Sequence, residues 1–163
     1  MSISMIDDID LSILKILQTD ARRSNADIAR EVGMAPSAIL DRLRKLEARG
    51  VLRGFEARVD PEVLNLGLVA FVFVRSSEKL GEAKTGERLA KIPEVQEVHH
   101  IAGEDCYLVK VRVQDTAALS QLLREKFGAI GSVASTRTTI VLDTVKETAL
   151  LPLPNRRSAK SRD

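Results

Sequence analysis

Residues 68–75 read LVAFVFVR, and neither side of this run is polar. In an extended chain alternate side chains leave opposite faces. Leu68, Ala70, Val72 and Val74 therefore share one face, and Val69, Phe71, Phe73 and Arg75 the other. A half-buried strand alternates apolar with polar residues, whereas a strand apolar on both faces needs cover on both. The run predicts a strand whose sheet is packed on one side by the chain's own helices and on the other by a second copy of the chain. A short strand buried within one chain is the alternative reading.

The flanking sequence supplies the helices. KLGEAKTGERLAKI (79–92) reads as helical in part, anchored by Leu89 and Ile92, with Gly81 and Gly86 weakening its first turns. VQEVHHIA (95–102) and CYLVKVRV (106–113) read as strands joined by a GED corner. TAALSQLLREKFG (116–128) has Leu119, Leu122, Leu123 and Phe127 at helical spacing, and VASTRTTIVLDTV (133–145) closes the series as a strand. The order β-α-β-β-α-β predicts a ferredoxin-like α+β domain with both helices on one sheet face. After the GED corner, Tyr107, Val109, Val111 and Val113 should point to the helix-covered core. Cys106 and Leu108 should point to the partner face, with Lys110 and Arg112 continuing toward solvent.

The first 50 residues have a different period. Asp7 is a candidate N-cap for a helix over 7–18, whose apolar stripe is Ile9, Ile13, Leu14 and Leu17. SNADIAREVG follows, with Ser24 and Asp27 at capping spacing and Gly33 suited to a left-handed stop. A tight GMAP connection leads into SAILDRLRKLEARG, with Pro36 in its first turn and Gly50 after its end. Three short helices with this turn read as a winged-helix-like helix-turn-helix domain. A plain helical bundle with a glycine turn is the alternative. Around the third helix Ile39, Leu43 and Leu46 form the buried stripe. Ser37, Ala38, Asp41, Arg44, Lys45 and Ala48 lie opposite, with Arg42 and Arg49 at the flanks. Small, hydroxyl and basic side chains backing an apolar stripe suit entry into a DNA major groove, although a charged face can also be merely solvated.

VLRGFEARVD then alternates like a strand, and Pro61 with NLG at 65–67 marks a boundary. The expected organisation is a helix-turn-helix DNA-binding domain over 1–50, a strand-like linker over 51–66, a ferredoxin-like oligomerisation domain over 67–151, and a basic disordered tail over 152–163. The net charge of +2 says little, but from Ser37 to Arg58 six basic residues face three acidic ones. One cysteine precludes an internal disulfide, no run reaches the roughly 18 apolar residues of a membrane span, and the acidic start lacks a signal-peptide flank; a cytosolic protein is expected. Adjacent His99 and His100 leave opposite faces of a strand, and with Cys106 alone no metal site is expected. No Ser-His-Asp set, P-loop or GxGxxG is present, so no enzyme activity and no cofactor are expected.

These features together resemble the Lrp/AsnC (feast/famine) family of prokaryotic transcription regulators. Residues 6–55 look like its helix-turn-helix almost end to end: IDLSIL at the opening, GMA at the turn, then Arg42 and RKLEARGV. IAGEDCYLVKVRV and STRTTIVLDTVKET are similar to the glycine turn and the last strand of its amino-acid-binding domain, and the match extends to LPL. The resemblance implies sequence-specific binding of double-stranded DNA, dimers assembled into higher oligomers such as octamers, and a small effector, usually an amino acid, held between domains. It places Ser37, Ala38, Asp41, Arg42 and Lys45 at the groove, with Arg42, Arg44 and Arg53 reaching phosphates or bases. It places the effector at Ile101, Gly103, Glu104, Asp105 and Cys106 with Thr136 and Thr138. Two departures stand out. Ala35 occupies the third helix's usual hydroxyl cap, and Cys106 stands where an aspartate is usual, with the acid one residue earlier. An architectural DNA-binding protein without an effector fits nearly as well. Siroheme decarboxylases share the architecture, but their histidine- and aromatic-rich segment has no counterpart here.

Overall fold

The computed structural model describes residues 6–79 and 82–154. They divide into two compact units: residues up to Ala57 together with those from Thr148 onward, and Arg58–Glu147. Leu80, Gly81 and the tail beyond Pro154 lie outside the described residues. No helix among the described residues is long and apolar enough to cross a membrane.

The first unit is built on α1 (Asp8–Thr19), α2 (Asn25–Val32) and α3 (Pro36–Ala48). Each start is determined by its cap. The Asp7 carboxylate accepts from the Asp10 N–H, and the Asp10 carboxylate accepts from the Asp7 N–H, a reciprocal capping box. Ser24 accepts from the Asp27 N–H at 3.1 Å, and α2 stops at Gly33, whose φ of +73° is the left-handed conformation glycine tolerates. Ala35 offers α3 no side-chain cap, so Pro36 alone marks that start. Ile13, Leu17, Ile28, Ala29 and Ile39 make the core, and Leu43 and Leu52 pack against it. Downstream, Gln18 clasps the backbone of Leu151, accepting from its N–H at 2.7 Å and donating to its carbonyl at 3.1 Å. The alternating stretch 51–60 joins no strand, and its Arg58 donates to the Glu147 carbonyl at 3.3 Å.

The second unit is a four-stranded antiparallel sheet in the order β2-β3-β1-β4. Its strands are β1 (Leu68–Ser76), β2 (Val95–His100), β3 (Tyr107–Val113) and β4 (Val133–Ile140). Helices α4 (Lys84–Leu89) and α5 (Thr116–Leu122) complete the ferredoxin-like order, and α5 continues into a π-helical turn at Leu123–Phe127. The elements are shorter than their sequence patterns: α4 begins at Lys84 rather than 79, and β4 ends at Ile140 rather than 145. Ala70, Val72 and Val74 meet Tyr107, Val109, Val111 and Val113 under Leu89, Leu119, Leu122 and Phe127.

One polar chain crosses this packing. Buried Thr85 hydrogen-bonds Ser76 at 3.0 Å and Ser132 at 2.6 Å, and its N–H donates to Glu78 at 2.7 Å. The weak helix-former Gly86 has a packing reason: a Cβ there would stand 2.7 Å from Cε1 of Tyr107.

Two outcomes follow. Ala35→Ser should stabilise the first unit by about 1 kcal/mol by restoring a cap, seen as greater amide-exchange protection in α3. Gly86→Ala should destabilise the second unit by about 1–3 kcal/mol through overpacking. Tyr107, the sole tyrosine in a chain without tryptophan, reports that loss by its fluorescence.

Candidate DNA interface and ligand face

Helix α3 buries Ile39 and Leu46 and exposes Ser37, Asp41, Arg44 and Lys45; Ala38 is half-buried and Arg53 is exposed beyond the helix end. The exposed face is partly neutralised within itself, since Lys45 Nζ lies 2.7 Å from Asp41. The Lys45 hydrogen bond holds the Asp41 carboxyl below its ordinary value.

Arg42 lies at the flank of this face and is paired with the capping acids of α1. Its Nη1 donates to Asp7 Oδ2 at 2.7 Å and to Asp10 Oδ1 at 2.7 Å, and its side chain is only 25% exposed. Burial raises the Asp7 pKa, but the Asp10 N–H and the guanidinium together hold it below the ordinary range. Asp7 and Asp10 are thus bonded directly to a side chain of α3. In the sequence their signal is confined to the I-D-D-I-D spacing at the start of α1.

The ligand face starts at the 101–106 corner. Ile101 N–H donates to the Cys106 carbonyl at 2.9 Å, and Gly103, at φ +144°, makes the turn. Glu104 meets Arg75 at 3.1 Å, and Asp105 meets Arg137 at 3.0 Å. The Arg137 guanidinium also lies 4.0 Å over the Phe73 ring. Register explains the grouping: Phe73 pairs with Leu108 and Arg137, so all three share the face not covered by helices. Thr136 and Thr138 pair with Val74 and Val72, which places them on the helix side of the edge strand. The expected effector residues therefore divide, with Glu104 and Asp105 bonded to arginines of the open face and the two threonines on the opposite one.

Two orientations are corrected. Cys106 packs against the helix-side core, with Sγ 3.5 Å from the Ser76 N–H, because it precedes the ladder of β3 and escapes its alternation. Lys110 and Arg112 do not reach toward solvent: their side chains are 12% and 14% exposed. Glu147 folds onto both, Glu97 also pairs with Lys110, and Arg112 donates to the Leu66 carbonyl. His99 pairs in register with Leu108 and His100 with Tyr107, so the rings leave opposite faces; His99 bonds Glu97, and His100 stacks on Tyr107 at 5.1 Å. Arg75, Arg137 and Phe73 were outside the expected effector set, although strand alternation already put Phe73 and Arg75 on one side.

The ion pairs have a pH signature. The Lys110 hydrogen bond lowers the Glu147 pKa, and His99 then Lys110 lower that of Glu97. Burial lowers the Lys110 pKa, but Glu147 and Glu97 outweigh it and raise it. The glutamates' stabilisation is complete above their unfolded value of about 4.3 and is lost as pH falls through their lower folded values; that of Lys110 is complete below about 10.4 and is lost as pH rises beyond its higher folded value. Denaturation of the second unit should show level stability between about pH 5 and 10 and a fall on each side. Glu147→Gln should flatten both falls, and an unchanged profile would show that these pairs add nothing.

A helix-turn-helix unit followed by a βαββαβ unit with a charged open face defines a DNA-binding transcriptional regulator carrying a ligand-binding domain. Residues 6–47 match the AsnC-type helix-turn-helix domain, and residues 69–151 match the Lrp/AsnC ligand binding domain. The chain is 39% identical to the HTH-type transcriptional regulator FL11 of Pyrococcus horikoshii, over 91% of this chain and 97% of that protein. It is 34% identical to the leucine-responsive regulatory protein of Escherichia coli K12, over 93% of each. Its fold matches a transcriptional regulator of Neisseria meningitidis in complex with L-methionine at a TM-score of 0.82 with 33% identity, covering 91% of this chain and 97% of that one. The chain belongs to the Lrp/AsnC family of transcriptional regulators.

Proposed function

We propose that the chain is a sequence-specific DNA-binding regulator whose DNA binding is modulated by a small effector, an amino acid. The observation that carries this is the pair of acid–arginine contacts, Glu104–Arg75 and Asp105–Arg137, flanking the Phe73 ring on an open sheet face. An amino acid has the complementary set of groups. Its ammonium exchanges onto a carboxylate of the corner, its carboxylate onto a guanidinium or backbone N–H, and its side chain lies on apolar surface. Relatives support the class of effector: the Neisseria meningitidis regulator and a feast or famine regulatory protein of Mycobacterium tuberculosis are both complexed with L-methionine.

On the DNA side, Ser37, Ala38, Asp41, Lys45, Arg44 and Arg53 face the duplex. The partly exposed Phe71 and Phe73 of the open face, with the exposed Leu142 and Val145 beyond β4, support a homodimer through the second unit and higher oligomers such as an octamer. Paired recognition helices then read half-sites about one helical turn apart or a multiple of it.

Melting curves across the twenty amino acids test the effector. The right one at 100 times its dissociation constant adds about 2.7 kcal/mol, and Asp105→Ala should abolish that gain while leaving effector-free DNA binding intact. A melting temperature indifferent to all twenty would refute amino-acid sensing. Arg44→Ala should weaken selected and random duplexes alike and reduce the log–log salt slope by about 0.9, one phosphate contact.

A further inference from the structure

Arg42 is the one basic residue of α3 whose side chain turns away from the exposed face. Both of its short contacts leave a single nitrogen, Nη1, which bridges Asp7 Oδ2 and Asp10 Oδ1. The other oxygen of each carboxylate is already engaged, Asp7 Oδ1 by the Asp10 N–H at 2.8 Å and Asp10 Oδ2 by the Asp7 N–H at 3.3 Å. The guanidinium therefore closes a ring of four hydrogen bonds through the capped end of α1. Asp10 is buried, so withdrawing Arg42 would leave a covered carboxylate without its counter-charge.

The position of Arg42 along α3 gives this ring a consequence. It lies about 60° around the helix from Ile39, between the buried stripe and the flank that carries Ala38 and Lys45. A side chain fixed there resists rotation of α3 about its own axis. The opposite end of the helix contributes little to that restraint, because Ala35 provides no cap bond. The apolar stripe, buried Ile39 and Leu46 with partly buried Leu43, holds the helix down by non-directional packing, whereas the Arg42 hydrogen bonds are directional.

We propose that Arg42 is a positioning residue for DNA recognition: it sets the roll of α3 by clasping the capping box of α1, and it does not contact DNA. This rests on the reading that the first unit binds DNA. It reassigns the arginine from a phosphate or base contact to a strut, and makes Asp7 and Asp10 determinants of specificity although neither lies on α3.

The two roles predict opposite signs for removing an acid. If Arg42 were a DNA contact restrained by its partners, losing one would free the cation, remove a negative charge near the duplex and tighten binding. If it is a strut, the same change loosens α3 and weakens specific binding. Asp7→Asn is the mild variant, since asparagine caps a helix as well as aspartate does. The test uses the full chain, a duplex selected from a randomised library by the wild-type protein, and a random-sequence duplex.

Asp7→Asn and Arg42→Ala should each weaken binding to the selected duplex about tenfold, the scale of one charge-assisted hydrogen bond, and scarcely alter binding to random sequence. The double variant should bind no worse than Arg42→Ala alone, and all salt slopes should equal that of the wild type. Faster amide exchange in the first turn of α1 should accompany both single changes. The role is overturned if Asp7→Asn tightens binding, or if Arg42→Ala lowers the salt slope by about 0.9. Failure of the wild-type protein to select any duplex would instead overturn the DNA-binding reading, and this role with it, whatever the exchange shows.

Discussion

Strand β1 is hydrogen-bonded on both edges, to β3 and to β4, and is apolar on both faces. The second unit is arranged around satisfying that strand. On one face the valines of β1 and β3 alternate in register and leave a flat apolar surface, which Leu89, Leu119, Leu122 and Phe127 fill. The other face cannot use the same solution, because both crossover helices already lie on the first. It is finished with charge instead. Lys110 and Arg112 stand beside Phe71 and Val69 in register and are neutralised by Glu97 and Glu147 at one end; Arg137 stacks on Phe73 at the other. The apolar centre of that face is thereby bounded by ion pairs.

The first unit has a different problem. Few residues contribute to its core, and a small core supplies little stability. Its helices are short enough that their ends matter as much as their stripes. Asp7 and Ser24 supply caps to α1 and α2, whereas α3 has none and depends on a proline, its apolar stripe and the Arg42 bridge. Helix α3 is thus the least well held by local chemistry and the most dependent on one long-range contact.

Much of this was legible in the sequence, and the parts that were not share a cause. Period and caps are local properties, so the three helices, the Gly33 stop, the βαββαβ order and the inward set Tyr107, Val109, Val111 and Val113 follow from spacings of a few residues. Alternation fails where a residue leaves the ladder. Cys106 sits one position before β3 and faces the core, contrary to its parity. Exposure fails where distant chain returns: Lys110 and Arg112 read as solvent-directed until Glu147, more than thirty residues downstream, folds onto them. The glycine and acids of the 101–106 corner are local features, but the arginines that hold those acids come from β1 and β4, and only the sheet order brings them there.

Exposure also sorts the cations of the DNA-binding head, whose formal charges cancel over residues 1–60. An exposed ion pair contributes roughly 0–1 kcal/mol, so the Asp41–Lys45 pair, with both side chains more than half exposed, can be exchanged for a phosphate at little cost. The Arg42 pair cannot, because Asp10 would be left covered and charged. Charge count alone treats Lys45 and Arg42 as equivalent donors. Burial of their partners separates them, making Lys45 a cation on loan to its own helix and Arg42 a fixed part of the frame. A head whose formal charges cancel can therefore still present a positive face, since its weak exposed pair opens readily while the pair with a covered partner stays closed.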